Sequence, residues 1–279
     1  MSHDEDHEPA DPPETKRPGA KAPETSPALL GWFRRYAERY LARHFHAIRL
    51  ARSGFDPAEL PLHRPLVVYL NHPAWWDPLL GLALAFERFG GRRHYAPIDA
   101  TALARYRLLG RLGFFPVELG TRRGAAGFLA TSRAILEDPD AAIWMTPGGR
   151  FADPRERPVQ LQSGLGHLAA KVPAAIFLPL AVEYPFWEER TPEALARFGK
   201  PLDASEARLG PGDWTVLLAE RLEATQDDLA ADAIARDPAR FEIVARGKAG
   251  VGGAYDAWRR LTARLRGEKF DPRHGRKDD

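Results

Sequence analysis

Residues 65–78 read Pro65-Leu66-Val67-Val68-Tyr69-Leu70-Asn71-His72-Pro73-Ala74-Trp75-Trp76-Asp77-Pro78. The run up to Leu70 is short, apolar and rich in β-branched and aromatic residues, which predicts a buried strand. Pro73 forbids a simple helical continuation and forces a loop. Asp77 stands before Pro78, and proline is favoured at the first helical position. Asp is also a favoured N-cap. The stretch therefore places His72 at a strand end and Asp77 at a helix start, and the loop between them can bring carboxylate to imidazole. A free imidazole has a pKa near 6.5, so it accepts a proton at neutral pH. A carboxylate beside it fixes the tautomer and stabilises the imidazolium. The same two residues also suit a plain cap and a plain loop histidine, so the surroundings must decide.

Outward from this stretch, strands and helices alternate. Residues 78–89 read as a helix, 94–98 as a strand, 100–112 as a helix and 113–117 as a short strand. An amphipathic helix over 123–137, a strand over 141–145, a helix over 161–171 and a strand over 174–184 follow. A strand-like piece near 196–202 and a helix over 214–235 complete the series. The alternation predicts a single α/β domain with a central mixed, mostly parallel sheet flanked by helices.

Upstream, residues 28–50 carry Trp32, Phe33, Tyr36, Tyr40, Leu41, Phe45 and Ile48 at helical spacing, with Arg34, Arg35, Arg39, Arg43 and Arg49 between them. Such an amphipathic N-terminal helix suits an anionic membrane interface. It equally suits a helix that packs on the domain and extends its arginines into water. Residues 1–27 are acidic and proline-rich, too poor in large apolar groups to order themselves. The expected organisation is a disordered tail over 1–27, the helix over 28–52, the main domain over 53–245 and a helical extension with a loose tail over 246–279. The glycine-rich stretch from Gly247 to Gly253 lacks a phosphate loop's preceding strand and Gly-Lys-Ser/Thr ending, so it reads as a connector.

Composition narrows the classes. The formal net charge of +2 gives no reason to expect nucleic acid. No cysteine is present, which excludes disulfides, thiolate metal sites and a cysteine nucleophile. The histidines lack metal-site spacing, so no metal is expected. No apolar run approaches the roughly 20 residues of a spanning helix, and no signal peptide is read at the N-terminus. A serine hydrolase is disfavoured, because Leu161-Gln162-Ser163-Gly164-Leu165 lacks the glycines of a nucleophile elbow.

Asn71-His72 with Asp77 five residues on resembles the first motif of the glycerolipid acyltransferase family, which includes the 1-acylglycerol-3-phosphate acyltransferases. Three further blocks stand in the family's order. Gly113-Phe114-Phe115-Pro116-Val117 is similar to the second motif, and Trp144-Met145-Thr146-Pro147-Gly148-Gly149-Arg150 to the third. Val172-Pro173 with Leu178-Pro179-Leu180 is similar to the fourth, and Gly164 and Ala169 also fit the pattern. Two positions depart from it. Glu118 stands where the second motif usually carries Arg, with Arg122 and Arg123 a turn further on. Pro147-Gly148-Gly149-Arg150 is one residue shorter than the usual Pro-Glu-Gly-x-Arg and lacks its Glu.

The resemblance implies transfer of an acyl group from acyl-CoA or acyl carrier protein to a hydroxyl of a lysolipid acceptor, with no further cofactor. His72 would be the general base and Asp77 its orienting partner. Asn71 belongs to the same motif and is expected at the substrate. Arg150, with Arg122 or Arg123, would grip a phosphate or other acidic head group. A backbone donor near Gly149 would meet the oxyanion. The expected setting is peripheral, on the cytoplasmic face of a membrane. The alternative is a relative that has lost catalysis and binds lipid or a partner.

Overall fold

The structure, a computed structural model, describes residues 21–247. It opens on helix α1 (Pro27–His44), followed by strands β1 (Ala47–Ala51) and β2 (Leu66–Leu70). Helix α2 (Asp77–Arg88) leads to β3 (Arg93–Asp99), the short helix α3 (Ala100–Arg105) and β4 (Phe114–Val117). Helix α4 (Arg122–Leu136), β5 (Ala141–Met145), α5 (Ser163–Lys171) and β6 (Ile176–Glu183) follow. The chain continues through β7 (Ala194–Phe198), β8 (Leu202–Asp203), the long helix α6 (Pro211–Ala235) and β9 (Phe241–Arg246).

The strands form one sheet in the order β4-β3-β5-β2-β6-β7-β1-β9, with β8 paired to β6. From β4 to β6 every neighbouring pair is parallel, and antiparallel pairing enters only through β7, β8 and β9. Parallel strands need crossovers, and the crossovers cover both faces. Side chains alternate between those faces. Leu66, Val68 and Leu70 join Leu41, Leu80 and Leu84 in the core beneath α1 and α2. Val67 and Tyr69 join Phe128, Leu165, Trp214 and Leu218 beneath α4, α5 and α6. A strand buried on both sides must be apolar at every position, which is why β2 reads as an unbroken run.

Several expected boundaries shift. The N-terminal helix ends at His44, and the residues expected to continue it form β1 between β7 and β9. Arg49 is therefore interior rather than at a membrane interface. It is only 1% exposed, its Nε donates to Glu193 Oε2 at 2.9 Å, and its guanidinium lies over the Trp187 ring. His46 meets the same carboxylate at 2.6 Å. The segment 28–52 is thus continuous with the main sheet. The helix expected over 100–112 stops at Arg105. A 3-10 turn over Arg107–Leu112 replaces its second half and closes on Gly113 at φ +97°. A Cβ there would stand 2.3 Å from the His94 carbonyl oxygen, so the turn requires glycine. The strand expected near 196–202 is split between β7 and β8, and β9 had no counterpart in the expectation. Of the tail expected over 1–27 and the extension expected over 246–279, residues 1–20 and 248–279 lie outside the described residues, while Pro27 opens α1 and Arg246 ends β9. Among the described residues no helix is long and apolar enough to cross a membrane.

Because β5, β2 and β6 are adjacent and parallel, their C-terminal ends open on one side of the sheet. Ligand sites of open α/β sheets form outside such ends. The His72 loop, the Thr146–Arg150 turn and Tyr184 all leave the sheet there.

Candidate active site

Asn71 carries the β2–β6 pairing one step past the ladder. Its side-chain amide donates to the Val182 carbonyl at 3.0 Å, and its Oδ1 accepts from the Val182 N–H at 2.8 Å. Both ends of the amide are engaged by backbone, so Asn71 acts as a clamp on the loop's first residue. Asn71 also lines a polar cleft beside His72.

The next residue presents the imidazole. His72 Nδ1 lies 2.5 Å from Asp77 Oδ2. Asp77 is the first residue of α2, not the cap residue before it. Its side chain turns back toward the loop, where Oδ2 also accepts from the Ala74 N–H at 3.3 Å. The carboxylate is 1% exposed, and a buried carboxylate needs donors. The remaining donor is Tyr184, whose hydroxyl reaches Asp77 Oδ1 at 2.6 Å. Burial, reinforced by the carboxylate itself, pushes the Tyr184 phenol well above its ordinary range, so it stays protonated and donating. A carboxylate partner requires the proton on Nδ1, which leaves Nε2 as the basic atom of the neutral ring.

Two cavities meet at this pair. One, of about 680 Å³, runs between α1, α2, β3 and the 3-10 turn, and is walled by Phe33, Tyr40, Leu82, Pro97, Leu109 and Phe114. Asp77 and Trp75 lie on its wall. His94 does too, with Nδ1 accepting from the Trp144 indole N–H at 3.1 Å. Burial draws His94 down to about 4, so it is neutral and adds no charge to an apolar chamber. The other is a small polar cleft whose lining includes Asn71, His72, Gly148, Arg150, Glu156 and Gln226. Leu70 lines both.

The loop after β5 closes over the histidine. The Ala152 N–H donates to the His72 carbonyl at 3.0 Å, and the Phe151 ring packs 4.2 Å from the imidazole. Gly149 adopts φ +70°, and its N–H donates to the Thr146 carbonyl at 3.2 Å. That amide is engaged within the turn, so the oxyanion donor expected near Gly149 is not the Gly149 N–H itself. Arg150 lines the cleft but binds both oxygens of Glu156. Arg122 and Arg123 sit exposed on the first turn of α4, Arg123 4.0 Å from Glu118, and line neither cavity. The structure does not bring Arg122 or Arg123 to the cleft beside Arg150, as the expected grip required. The tryptophans divide their work: Trp76 packs edge-on against buried Phe45, whereas Trp75 is 54% exposed at the rim of the apolar chamber.

Tyr184, Phe151, Glu156 and Gln226 escaped the sequence reading. Tyr184 had a signal, since it directly follows the strand of the fourth block and so ends beside His72 if that strand neighbours β2. Gln226 had none, because α6 is brought over the cleft only by the fold.

A family model described as acyltransferase matches residues 42–183, about half of the 279-residue chain. The chain belongs to the acyltransferase family, as the four ordered blocks implied. Among solved structures, this acyltransferase is similar to the 1-acyl-sn-glycerophosphate (LPA) acyltransferase PlsC from Thermotoga maritima. The identity is 12%, the TM-score 0.51, and the match covers 73% of this chain and 80% of that one. At that identity the likeness establishes a shared fold. No curated protein matches the sequence.

Within the candidate site Tyr184 is tied to Asp77. Tyr184→Phe is expected to lower kcat about tenfold and change KM less than about twofold, and to reduce stability by about 1–3 kcal/mol through the lost donor. Steady-state kinetics and urea unfolding measure both. A loss confined to KM would place the hydroxyl against substrate instead.

Proposed function

We propose that the protein transfers a fatty acyl group from acyl-CoA or acyl carrier protein to a hydroxyl of a lysolipid or related lipid acceptor. The observation that carries this reading is the position of the His72–Asp77 pair on the wall between a large apolar chamber and a small polar cleft. The chamber's volume falls within the roughly 300–1,000 Å³ typical of ligand sites, and its lining suits an alkyl chain. The acceptor hydroxyl approaches from the cleft. His72 Nε2 takes its proton as the oxygen attacks the thioester carbonyl carbon. The carbon–sulfur bond then breaks, and the proton passes from His72 to the departing thiolate. Asp77, held by Tyr184, keeps the imidazole in the required tautomer throughout.

The donor reaches the chamber past α1. Trp32, Tyr36 and Tyr40 form one stripe of that helix, stacked at ring separations of 6.0 and 5.7 Å. Trp32 and Tyr36 are exposed. Arg35, Arg39 and Arg43, one position along, form the adjoining exposed stripe. Aromatic rings beside arginines suit the head-group layer of an anionic membrane. We infer peripheral docking there through this face, on the cytoplasmic side where acyl-CoA is supplied.

Three outcomes are expected. His72→Ala should lower acyl transfer by about 10²–10⁴-fold, the range for losing a general base. Mass analysis of products from a mixed lysolipid pool reads this, and undiminished transfer in the variant sinks the mechanism. Ala96→Phe, which fills part of the chamber, should shift donor preference toward shorter acyl chains; an unchanged chain-length profile would remove the chamber from donor binding. Trp32→Glu with Tyr36→Glu should abolish flotation with anionic vesicles. Both positions are exposed, so the fold is preserved, and flotation equal to the parent protein's would exclude this face as the dock.

A further inference from the structure

Chemistry at the polar cleft differs from that of a phosphate site. Its lining includes one guanidinium, Arg150, against two carboxylates, Asp153 and Glu156. Arg150 binds Glu156. Outside the cleft, Arg155 binds Asp153 through Nε at 2.8 Å and Nη2 at 2.7 Å, and Arg157 binds Asp227 through Nε at 3.0 Å. Arg155 holds the Asp153 carboxyl well below the usual carboxylate range, so Asp153 is ionised. Glu183, half-buried at the end of β6, stands close enough to Arg155 and Asp153 to feel both. The Arg150–Glu156 pair is exposed, and an exposed pair contributes little. Arg150 can therefore release Glu156, but Asp153 and Glu156 both line the cleft, so an incoming dianion approaches two carboxylates there.

The unengaged hydrogen-bonding capacity points the same way. Gln226, 5% exposed on the cleft lining, donates through Nε2 to the Pro154 carbonyl at 2.8 Å. Its Oε1 is buried and has no partner among the described residues. Amide and carboxylate oxygens are acceptors and require O–H or N–H donors. A phosphate ester ionised at neutral pH offers only acceptors, whereas a polyol offers donors. Phe151, 58% exposed beside the imidazole, adds an apolar face on which the C–H side of a glycerol or sugar unit can rest.

We propose that the acceptor is a lipid with an uncharged, polyhydroxylated head group, glycerol or sugar in type, and not a phosphomonoester. This rests on the acyl-transfer reading and narrows it. The test gives the full-length protein palmitoyl-CoA, and palmitoyl-loaded acyl carrier protein in parallel. The acceptors are monoacylglycerol, dodecyl glucoside and lysophosphatidic acid. Ester formed on either uncharged acceptor should proceed with kcat/KM at least about tenfold above lysophosphatidic acid, the discrimination expected from one unmet charged contact. Equal or better use of lysophosphatidic acid, still lost in His72→Ala, overturns the inference and leaves the acyl-transfer reading standing. No His72-dependent product from either donor with any acceptor overturns both. Glu156→Gln, at an exposed position, removes one carboxylate and frees Arg150. It should raise the ratio of lysophosphatidic acid to glucoside use about tenfold. An unchanged ratio refutes the charge argument.

Discussion

A carboxylate with almost no solvent contact must be answered by donors, and the answer given to Asp77 organises the site. Its partners come from three places: His72 at the end of β2, Ala74 within the loop, and Tyr184 at the end of β6. Because Oδ2 accepts from the imidazole N–H and Oδ1 from the phenol O–H, the two oxygens cannot both rotate away without leaving a buried group unpaired, which costs about 1–3 kcal/mol per group. The loop conformation, the tautomer of His72 and the spacing of β2 from the β6 terminus are therefore fixed together. Asn71 adds to this from the other side by continuing the pairing to Val182.

The sheet supplies what the carboxylate requires. Only because β5, β2 and β6 run parallel do the three loops emerge at one edge. The parallel order in turn needs helices on both faces, which makes β2 apolar throughout and gives the site a stiff base. The exposed groups gather at the rim, where Trp75, Phe151 and the arginine–carboxylate pairs meet solvent.

Sequence alone revealed what depends on local patterning. β2, β5 and β6 were legible because strands covered on both faces are continuous apolar runs of strand length. The His72–Asp77 pairing was legible because Pro73 and Pro78 fix where the loop begins and ends. The Asp77 cap was misjudged because a local preference for helix N–H groups yielded to a tertiary demand from His72 and Tyr184. β1 was hidden by Arg49, whose charge is answered by Glu193 far along the chain, so the strand looked like more of an arginine-rich helix. Arg150 illustrates the same limit at the site. Its position at a turn suggested a free cation, and only the folded loop brings Glu156 onto it. β9, with charge at both Glu242 and Arg246, carried too weak a pattern to stand out from a loop.

The wall shared by the two chambers has a consequence for how such a protein diversifies. On the proposed reading, the alkyl portion of one substrate and the head group of the other would occupy separate volumes, which share Leu70 and are lined by Asp77 on one side and His72 on the other. A substitution deep in the apolar side would then change the fatty chain installed without disturbing what receives it. A change among the charged residues of the other side would do the reverse. Product identity would thus have two nearly independent coordinates, each open to drift while the His72–Asp77 pair stays fixed.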